Sequence, residues 1–447
     1  MPAARPPLAA REVGPTTIAL MVVALAALWL VAEPAGAPTG AYVGQLLGAE
    51  SVLLLSIGLV LISTLPWIEV WFDGIDRAAI WHRRVAIAGV VLLAPHILMA
   101  AGPNGTALGG PLGAIGAIGL VALAAWAILP RWRSVVPGPL RGLVVAARDA
   151  PVIRDVRTVL GGYERWRALH RTTGLFVAAG FVHGLLDGSP WDGAPVLRWS
   201  YVAIGGVGLA FYIYREVLAR FFLSLHDYQV ASVADVGHGV TEIALRPLGR
   251  PLPFVPGQFA MVYLEGKDGW HRHPFTIASA PHEDVVRVTV KALGDYTSRV
   301  RDVIEPGMPA VIGGPHGRFS HAKGTEQQVW IAGGVGVAPF LSWLRALDEH
   351  PPAGRVDFFY TSDGEAPFTQ EIRAIAERHD RLRTHLVDTS VNGRLTAAQV
   401  LAVAGGDPRQ LSVFLCGPQS MLRSFLPQLR TAGVPGRHIH REYFDWR

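Results

Sequence analysis

The chain has 447 residues, half of them hydrophobic and only 17% charged, with 40 Lys and Arg against 35 Asp and Glu for a net charge of +5. Three Lys and no basic run interleaved with aromatics make nucleic-acid binding a poor reading. The single cysteine, Cys416, excludes an internal disulfide and any zinc or iron–sulfur site built on cysteines.

Six apolar runs fill the first half, at 14–32, 51–68, 79–101, 111–130, 165–186 and 197–214, each close to the ~20 residues that cross a bilayer core. They predict an all-α bundle of six transmembrane helices over residues 14–222. The first run has no small-residue cleavage site and no strong basic region before it, so it reads as a retained span rather than a signal peptide. From the end of the fourth run into the first residues of the fifth lie Arg131, Arg133, Arg141, Arg148, Arg154, Arg157, Arg165, Arg167 and Arg171, whereas 34–49, 101–110 and 187–196 hold neither Lys nor Arg. The positive-inside rule then places the basic segment, both termini and everything after residue 222 in the cytoplasm, on a multi-pass protein of the cell membrane.

Residues 1–222 contain four histidines, His82 and His96 on the third run and His170 and His183 on the fifth. Ionisable groups inside spans are costly and mark functional sites. Both runs cross in the same direction, so His82 faces His170 near the cytoplasmic side and His96 faces His183 near the outer side. At 1.5 Å per residue the two spacings, 14 and 13 residues, separate the pairs by about 21 and 20 Å, room for two stacked haems ligated by neutral imidazole. Fourteen residues return to nearly the same helix face. Thirteen do not, so the fifth span is expected to bend or carry a π-bulge near Gly174 or Gly180. Arg83, Arg84 and Arg171 beside the inner pair fit haem propionates or plain positive-inside anchors. Zinc or copper transport would call for closer clusters with Met or carboxylate partners, which the spans lack.

After residue 222 the pattern changes. Tyr228–Val236, Val240–Pro247, Gln258–Glu265, Val285–Leu293 and Ala310–Ile312 read as short strands of an antiparallel β-barrel over 223–325. Two segments there are dense in chemistry, His273-Pro274-Phe275-Thr276-Ile277-Ala278-Ser279 and Lys291-Ala292-Leu293-Gly294-Asp295-Tyr296-Thr297. From 326 to 447 strands and helices alternate, as in an α/β nucleotide-binding domain. Val329–Ala332 leads into Gly333-Gly334-Val335-Gly336-Val337-Ala338-Pro339 and a helix over Phe340–Leu347. Such a glycine turn at a helix N-terminus suits a pyrophosphate. Strands follow at Val356–Tyr360, Arg383–Val387 and Val413–Leu415, the last entering Cys416-Gly417-Pro418.

With these motifs in this order, the sequence resembles the ferric reductase/NADPH oxidase superfamily over about residues 50–447. The resemblance implies that His273, Pro274, Phe275 and Thr276 form the flavin motif, His273 and Thr276 meeting the isoalloxazine and ribityl region of FAD, with Ser279 in the same binding segment. It implies that Lys291, Gly294, Asp295 and Thr297 hold the FAD pyrophosphate. Gly333, Gly334, Gly336 and Pro339, with Cys416, Gly417 and Pro418, are similar to the nicotinamide-nucleotide motifs, Cys416 lying near hydride transfer. Glu442-Tyr443-Phe444 matches the terminal Glu-x-Phe, whose ring, here Phe444, covers the flavin. Arg394 resembles the contact to the NADPH 2′-phosphate, while Asp363 and Glu365 would suit an NADH ribose. The histidine spacings are also those of the superfamily's bis-histidine haem helices.

The implied activity is that of an NAD(P)H-dependent membrane flavocytochrome, with FAD, two b-type haems and NADPH (or NADH) as cofactors. Oxygen, reduced to superoxide, is the first acceptor to consider; a ferric chelate, a quinone and a periplasmic partner are the alternatives. A metal permease with a fused reductase is the remote one. Animal NADPH oxidases carry a further histidine one turn beyond the outer ligand, where this chain has Ala100. The acceptor, the choice of nucleotide and the oligomeric state stay open at this point.

Overall fold

The computed structural model describes residues 13–63, 65–100, 105–128, 168–188, 191, 193–218 and 224–442. The chain divides into two compact units that part between residues 222 and 223.

The first unit is helical: α1 (Val13–Val31), α2 (Thr39–Leu61), a short α3 (Pro66–Phe72), α4 (Ile75–Met99), α5 (Gly109–Ile128), α6 (Thr173–Asp187) and α7 (Pro195–Ile213), the last continued by a π-helical turn at Tyr214–Leu218. Among the described residues, α1, α2, α4, α5 and α7 are long and apolar enough to cross a membrane. The helix α6 has 15 residues and falls short of that length.

Two expectations are corrected here. The second apolar helix starts at Thr39 rather than 51 and ends at Leu61, because its Gly-containing first turns, at Gly44 and Gly48, pack closely on α4; α3 then covers the end of the expected run. On the fifth run the irregularity is not at Gly174 or Gly180. A helical turn at 168–170 breaks at Arg171–Thr172 before α6 begins, and the Thr172 and Thr173 hydroxyls donate back to the Leu169 and His170 carbonyls at 2.7 and 2.6 Å. The basic segment from Arg131 to Arg167 lies outside the described residues.

The bundle is organised in two tight pairs. A Cβ at Gly44 of α2 would lie 2.6 Å from the Ala100 nitrogen at the end of α4, and the Ser51 hydroxyl donates to the Gly89 carbonyl at 2.8 Å. On α5, a Cβ at Gly116 would lie 3.0 Å from the Gly180 nitrogen of α6, and one at Gly119 would enter the Phe176 ring. In lipid, where no hydrophobic force joins helices, small residues and interhelical hydrogen bonds of this kind hold them together.

The second unit holds two sheets. The first is antiparallel, with strand order β4-β3-β6-β1-β2-β5, built from β1 (Leu225–Gly237), β2 (Val240–Pro247), β3 (Phe259–Gly266), β4 (Gly269–Thr276), β5 (Val286–Lys291) and β6 (Pro309–His316). The sequence reading missed β4, the strand that carries His273 to Thr276. The second sheet is parallel with order β11-β10-β7-β8-β9, from β7 (Gln327–Gly333), β8 (Arg355–Ser362), β9 (Leu382–Asp388), β10 (Leu411–Cys416) and β11 (Ile439–Glu442). Helices α8 (Ala338–Arg345), α9 (Thr369–Ala376), α10 (Ala397–Ala404) and α11 (Gln419–Thr431) join its strands. Buried Trp330, Phe340, Trp343, Phe358 and Phe414 fill the space between β7, β8, β10 and α8.

Candidate functional site

In the helical unit, the four histidines meet in the expected pairs. His82 and His170 have ring centroids 6.4 Å apart, and His96 and His183 are 6.1 Å apart. Two imidazoles bonded to opposite sides of one metal at about 2.0–2.1 Å have centroids about 6.3 Å apart, so each pair fits a single iron. Among the described residues no group of three or more His, Cys, Asp or Glu gathers to hold a metal. A macrocycle that brings its own equatorial nitrogens matches a two-histidine donor set.

On three of the four histidines the ring nitrogen facing away from the pair is anchored. His82 Nδ1 lies 2.9 Å from the Gly58 carbonyl, His96 Nδ1 2.9 Å from the Gly44 carbonyl, and His183 Nδ1 3.0 Å from the Gly109 carbonyl. A carbonyl only accepts, so each of these Nδ1 atoms carries the proton and each Nε2 keeps its lone pair, as a metal ligand would need. Helices α2 and α5 thus serve as supports, each lacking side chains where a ring rests. A Cβ at Gly48 would lie 2.7 Å from the His96 ring, and one at Gly113 would lie 2.9 Å from the His183 ring. The sequence signal existed: glycines four apart at 44 and 48 and again at 109 and 113. Of the basic neighbours, Arg171 is committed to Glu216, Nε to Oε2 at 2.6 Å, and Arg84 lies over the Trp81 ring.

In the second unit, strand β4 and the segment after β5 come together. The His273 ring stacks on Tyr296 at 4.6 Å, and His271 stacks on Tyr296 at 4.3 Å. Burial, with Asp268 nearby, pushes the Tyr296 phenol up to about 12, so it is neutral at ordinary pH. The buried Thr276 hydroxyl finds no hydrogen-bond partner among the described residues. Ser279 is closed to solvent and its hydroxyl accepts from the Arg287 amide at 3.1 Å, which gives it a structural tie. Thr297 Oγ1 accepts from the Leu293 and Gly294 amides and shapes that turn. Asp295 is exposed beside it.

The glycine turn after β7 faces the turn after β10. A Cβ at Gly336 would lie 2.4 Å from the Cys416 carbonyl, and one at Gly333 would lie 2.9 Å from Pro418. Gly417 lies against Gly333, and Pro339 is buried in the first turn of α8. Gly334, at φ +54, instead faces a cavity of about 450 Å³ lined by Lys291, Gly333, Asp363, Arg394 and Pro418 among others. His238, which the sequence reading did not single out, also lines it. It holds φ +52 at the tip of the β1–β2 turn and touches Gly364.

Cys416 is fully buried, in register with Ala332 on one side and Glu442 on the other. Burial, helped by the Glu442 carboxylate, holds its thiol well above the ordinary range, so it is neutral. Phe444 lies outside the described residues. Arg345 of α8 ties the two sheets together: it bonds Glu371 at 2.6 Å, Glu242 of β2 at 3.2 Å and the Ala278 carbonyl at 2.9 Å.

Residues 225–337 match the FAD-binding domain family, and residues 330–426 match the Oxidoreductase NAD-binding domain family. The chain is similar to ferredoxin–NADP reductase B of Sorangium cellulosum, 29% identical over 243 residues, covering 49% of this chain and 97% of that protein. It is also similar to the anthranilate 1,2-dioxygenase electron transfer component of Acinetobacter baylyi, 25% identical over 44% of this chain and 59% of that one. A third relative is NADPH oxidase 1 of Rattus norvegicus, 29% identical over 35% of this chain and 27% of that one. The chain therefore spans little more than half of one of these longer relatives and about a quarter of the other. Among solved structures it is similar to the flavohem-like FAD/NAD-binding domain of nitric oxide dioxygenase from Vibrio cholerae, with 21% identity, 49% of this chain and 98% of that one covered, and a TM-score of 0.44.

Proposed function

We propose that this chain, whose C-terminal half is an FAD- and NAD(P)H-binding reductase of the ferric reductase type with an NADPH oxidase among its homologues, moves electrons across a membrane. The observation that carries the reading is the pair of histidine couples at 6.4 and 6.1 Å on apolar helices. When bound, FAD would accept a hydride from the nicotinamide and release electrons singly, and two b-type haems would carry them through the apolar layer.

The residues of the chain supply position. Thr276 offers an unpaired buried hydroxyl to the flavin, and His273 and Tyr296 build a stacked wall beside it. Lys291 and the glycine turn at Gly333–Gly334 are the groups for pyrophosphate. Arg394 is the candidate for a 2′-phosphate, which favours NADPH, and Asp363 on the same cavity wall is its competitor for an NADH ribose. His82 with His170 forms the inner couple and His96 with His183 the outer. The arginine-rich segment fixes the orientation, with the reductase half in the cytoplasm. Cys416, a neutral buried thiol, packs against the nucleotide turn and is no nucleophile.

The acceptor assigned to the outer couple is oxygen, giving superoxide. A second reading, ferric-chelate reduction, is favoured by Ala100 where an oxygen-site histidine would stand in animal NADPH oxidases. Purified protein given NADPH or NADH in air, with cytochrome c reduction followed with and without superoxide dismutase, separates them. Dismutase-sensitive reduction supports the oxidase. Dismutase-insensitive reduction together with rapid anaerobic reduction of ferric citrate refutes it. A dithionite-reduced spectrum without b-type haem bands refutes the electron-wire reading altogether.

A further inference from the structure

The outer couple differs from the inner one in a way the family motifs do not contain. Asp187, one turn beyond His183 at the end of α6, places Oδ2 3.3 Å from His183 Nδ1. Its other oxygen, Oδ1, accepts from both the amide and the hydroxyl of Thr106, at 2.8 and 2.6 Å. The Thr106 hydroxyl oxygen in turn accepts from the Gly109 amide at 2.9 Å. The carboxylate is thus clamped from a segment 81 residues away and is only 12% exposed. Gly109 is what admits it, since a Cβ there would lie 2.2 Å from Oδ2. The same Gly109 gives its carbonyl to His183 Nδ1 at 3.0 Å. His82 and His96 meet a neutral backbone carbonyl at the corresponding nitrogen.

We infer that Asp187 is a positioning and tuning residue for the outer couple: it shares the Nδ1 proton of His183 and makes that imidazole the stronger donor through Nε2. The inference rests on the bis-haem reading above. A carboxylate partner raises ligand basicity and favours the ferric over the ferrous state of the iron that the ring would hold. The outer haem is therefore kept more reducing than its carbonyl-supported ligand alone would make it, which suits a one-electron acceptor of low potential outside the membrane.

The test is potentiometric titration of the two haem bands in the purified, haem-loaded protein. Asp187→Asn keeps the shape and removes the charge. It should move the outer potential upward by about tenfold in the ferric-to-ferrous ratio, which is about 59 mV for one electron, and leave the inner potential in place. Asp187→Glu should return it toward wild type. Thr106→Val keeps the charge but loosens its aim, and should shift the outer potential in the same direction by less. Unchanged potentials in haem-replete Asp187→Asn overturn the inference. So does loss of the outer haem in Asp187→Asn combined with no shift in Thr106→Val, since Asp187 would then only finish the helix. A wild-type protein without b-type haem refutes the underlying reading instead, and that result is distinct from both.

Discussion

The glycines under the histidine rings allow a graded test. At Gly48 an added Cβ would lie 2.7 Å from the His96 ring, and at Gly113 it would lie 2.9 Å from the His183 ring, whereas at Gly58 it would lie 3.5 Å from His82. Ordinary contact begins at 3.4 Å, so Gly48→Ala must displace His96 by about 0.7 Å and Gly113→Ala must displace His183 by about 0.5 Å, while Gly58→Ala displaces nothing. Metal–nitrogen bonds tolerate deviations of only about 0.2 Å, so on the proposed bis-haem reading the first two substitutions would cost the outer iron a ligand and the third would not. The fold itself should survive, since overpacking of one methyl in a helix pair costs roughly 1–3 kcal/mol. Haem per chain, by pyridine haemochrome and the split reduced band, should be about two in wild type and Gly58→Ala, and about one in Gly48→Ala and Gly113→Ala. Two haems in Gly48→Ala, or an equal loss in Gly58→Ala, would refute the assignment of α2 and α5 as supports.

Four further outcomes follow from the second unit. Arg345→Met leaves Glu242 paired with Arg287 but strips Glu371 and the Ala278 carbonyl, so the reductase half should lose about 3 kcal/mol, or about 10 °C by flavin-fluorescence melting. Burial lowers His321 from the usual 6.5 to about 4, with His350 a lesser cause. The folded state thus resists a proton that the unfolded state takes up below 6.5. His321 stabilises fully above that pH and costs up to about 3 kcal/mol as the pH falls toward 4, a slope that urea titrations should find absent in His321→Phe. Cys416 should resist maleimide at pH 8 in the native protein and react after denaturation; rapid native labelling would contradict a buried neutral thiol. Arg394→Ala should raise KM for NADPH about tenfold and change KM for NADH little, and equal changes for both would remove it from the 2′-phosphate.

Much of the chemistry was legible before any tertiary contact was known, because it is carried by residue type and spacing. His82, His96, His170 and His183 stand out because ionisable groups are rare in apolar runs. The flavin and nucleotide segments stand out because glycines, Lys291 and the His273–Thr276 string serve backbone approach and charge. What was misread followed from the limits of local pattern. Hydropathy alone places the start of α2 at 51 because Gly and Ala dilute it, yet those small residues let α2 approach α4. Strand β4 was missed because His, Arg and Pro break its alternation, although its pairing with β3 holds it.

The sequence by itself determined the cast: the apolar runs, the four histidines on them, and the FAD- and nucleotide-binding segments that follow. Only the tertiary structure decided how a 13-residue spacing serves two sites, by breaking the helix at Arg171–Thr172 instead of bending it at a glycine. It alone decided which carbonyls carry the rings, and that a carboxylate clamped by Thr106 reaches His183. Asp187 is one helical turn from His183, but the carbonyl contacts and the Thr106 clamp join segments 24 to 81 residues apart, and helix periodicity relates residues only within a few turns.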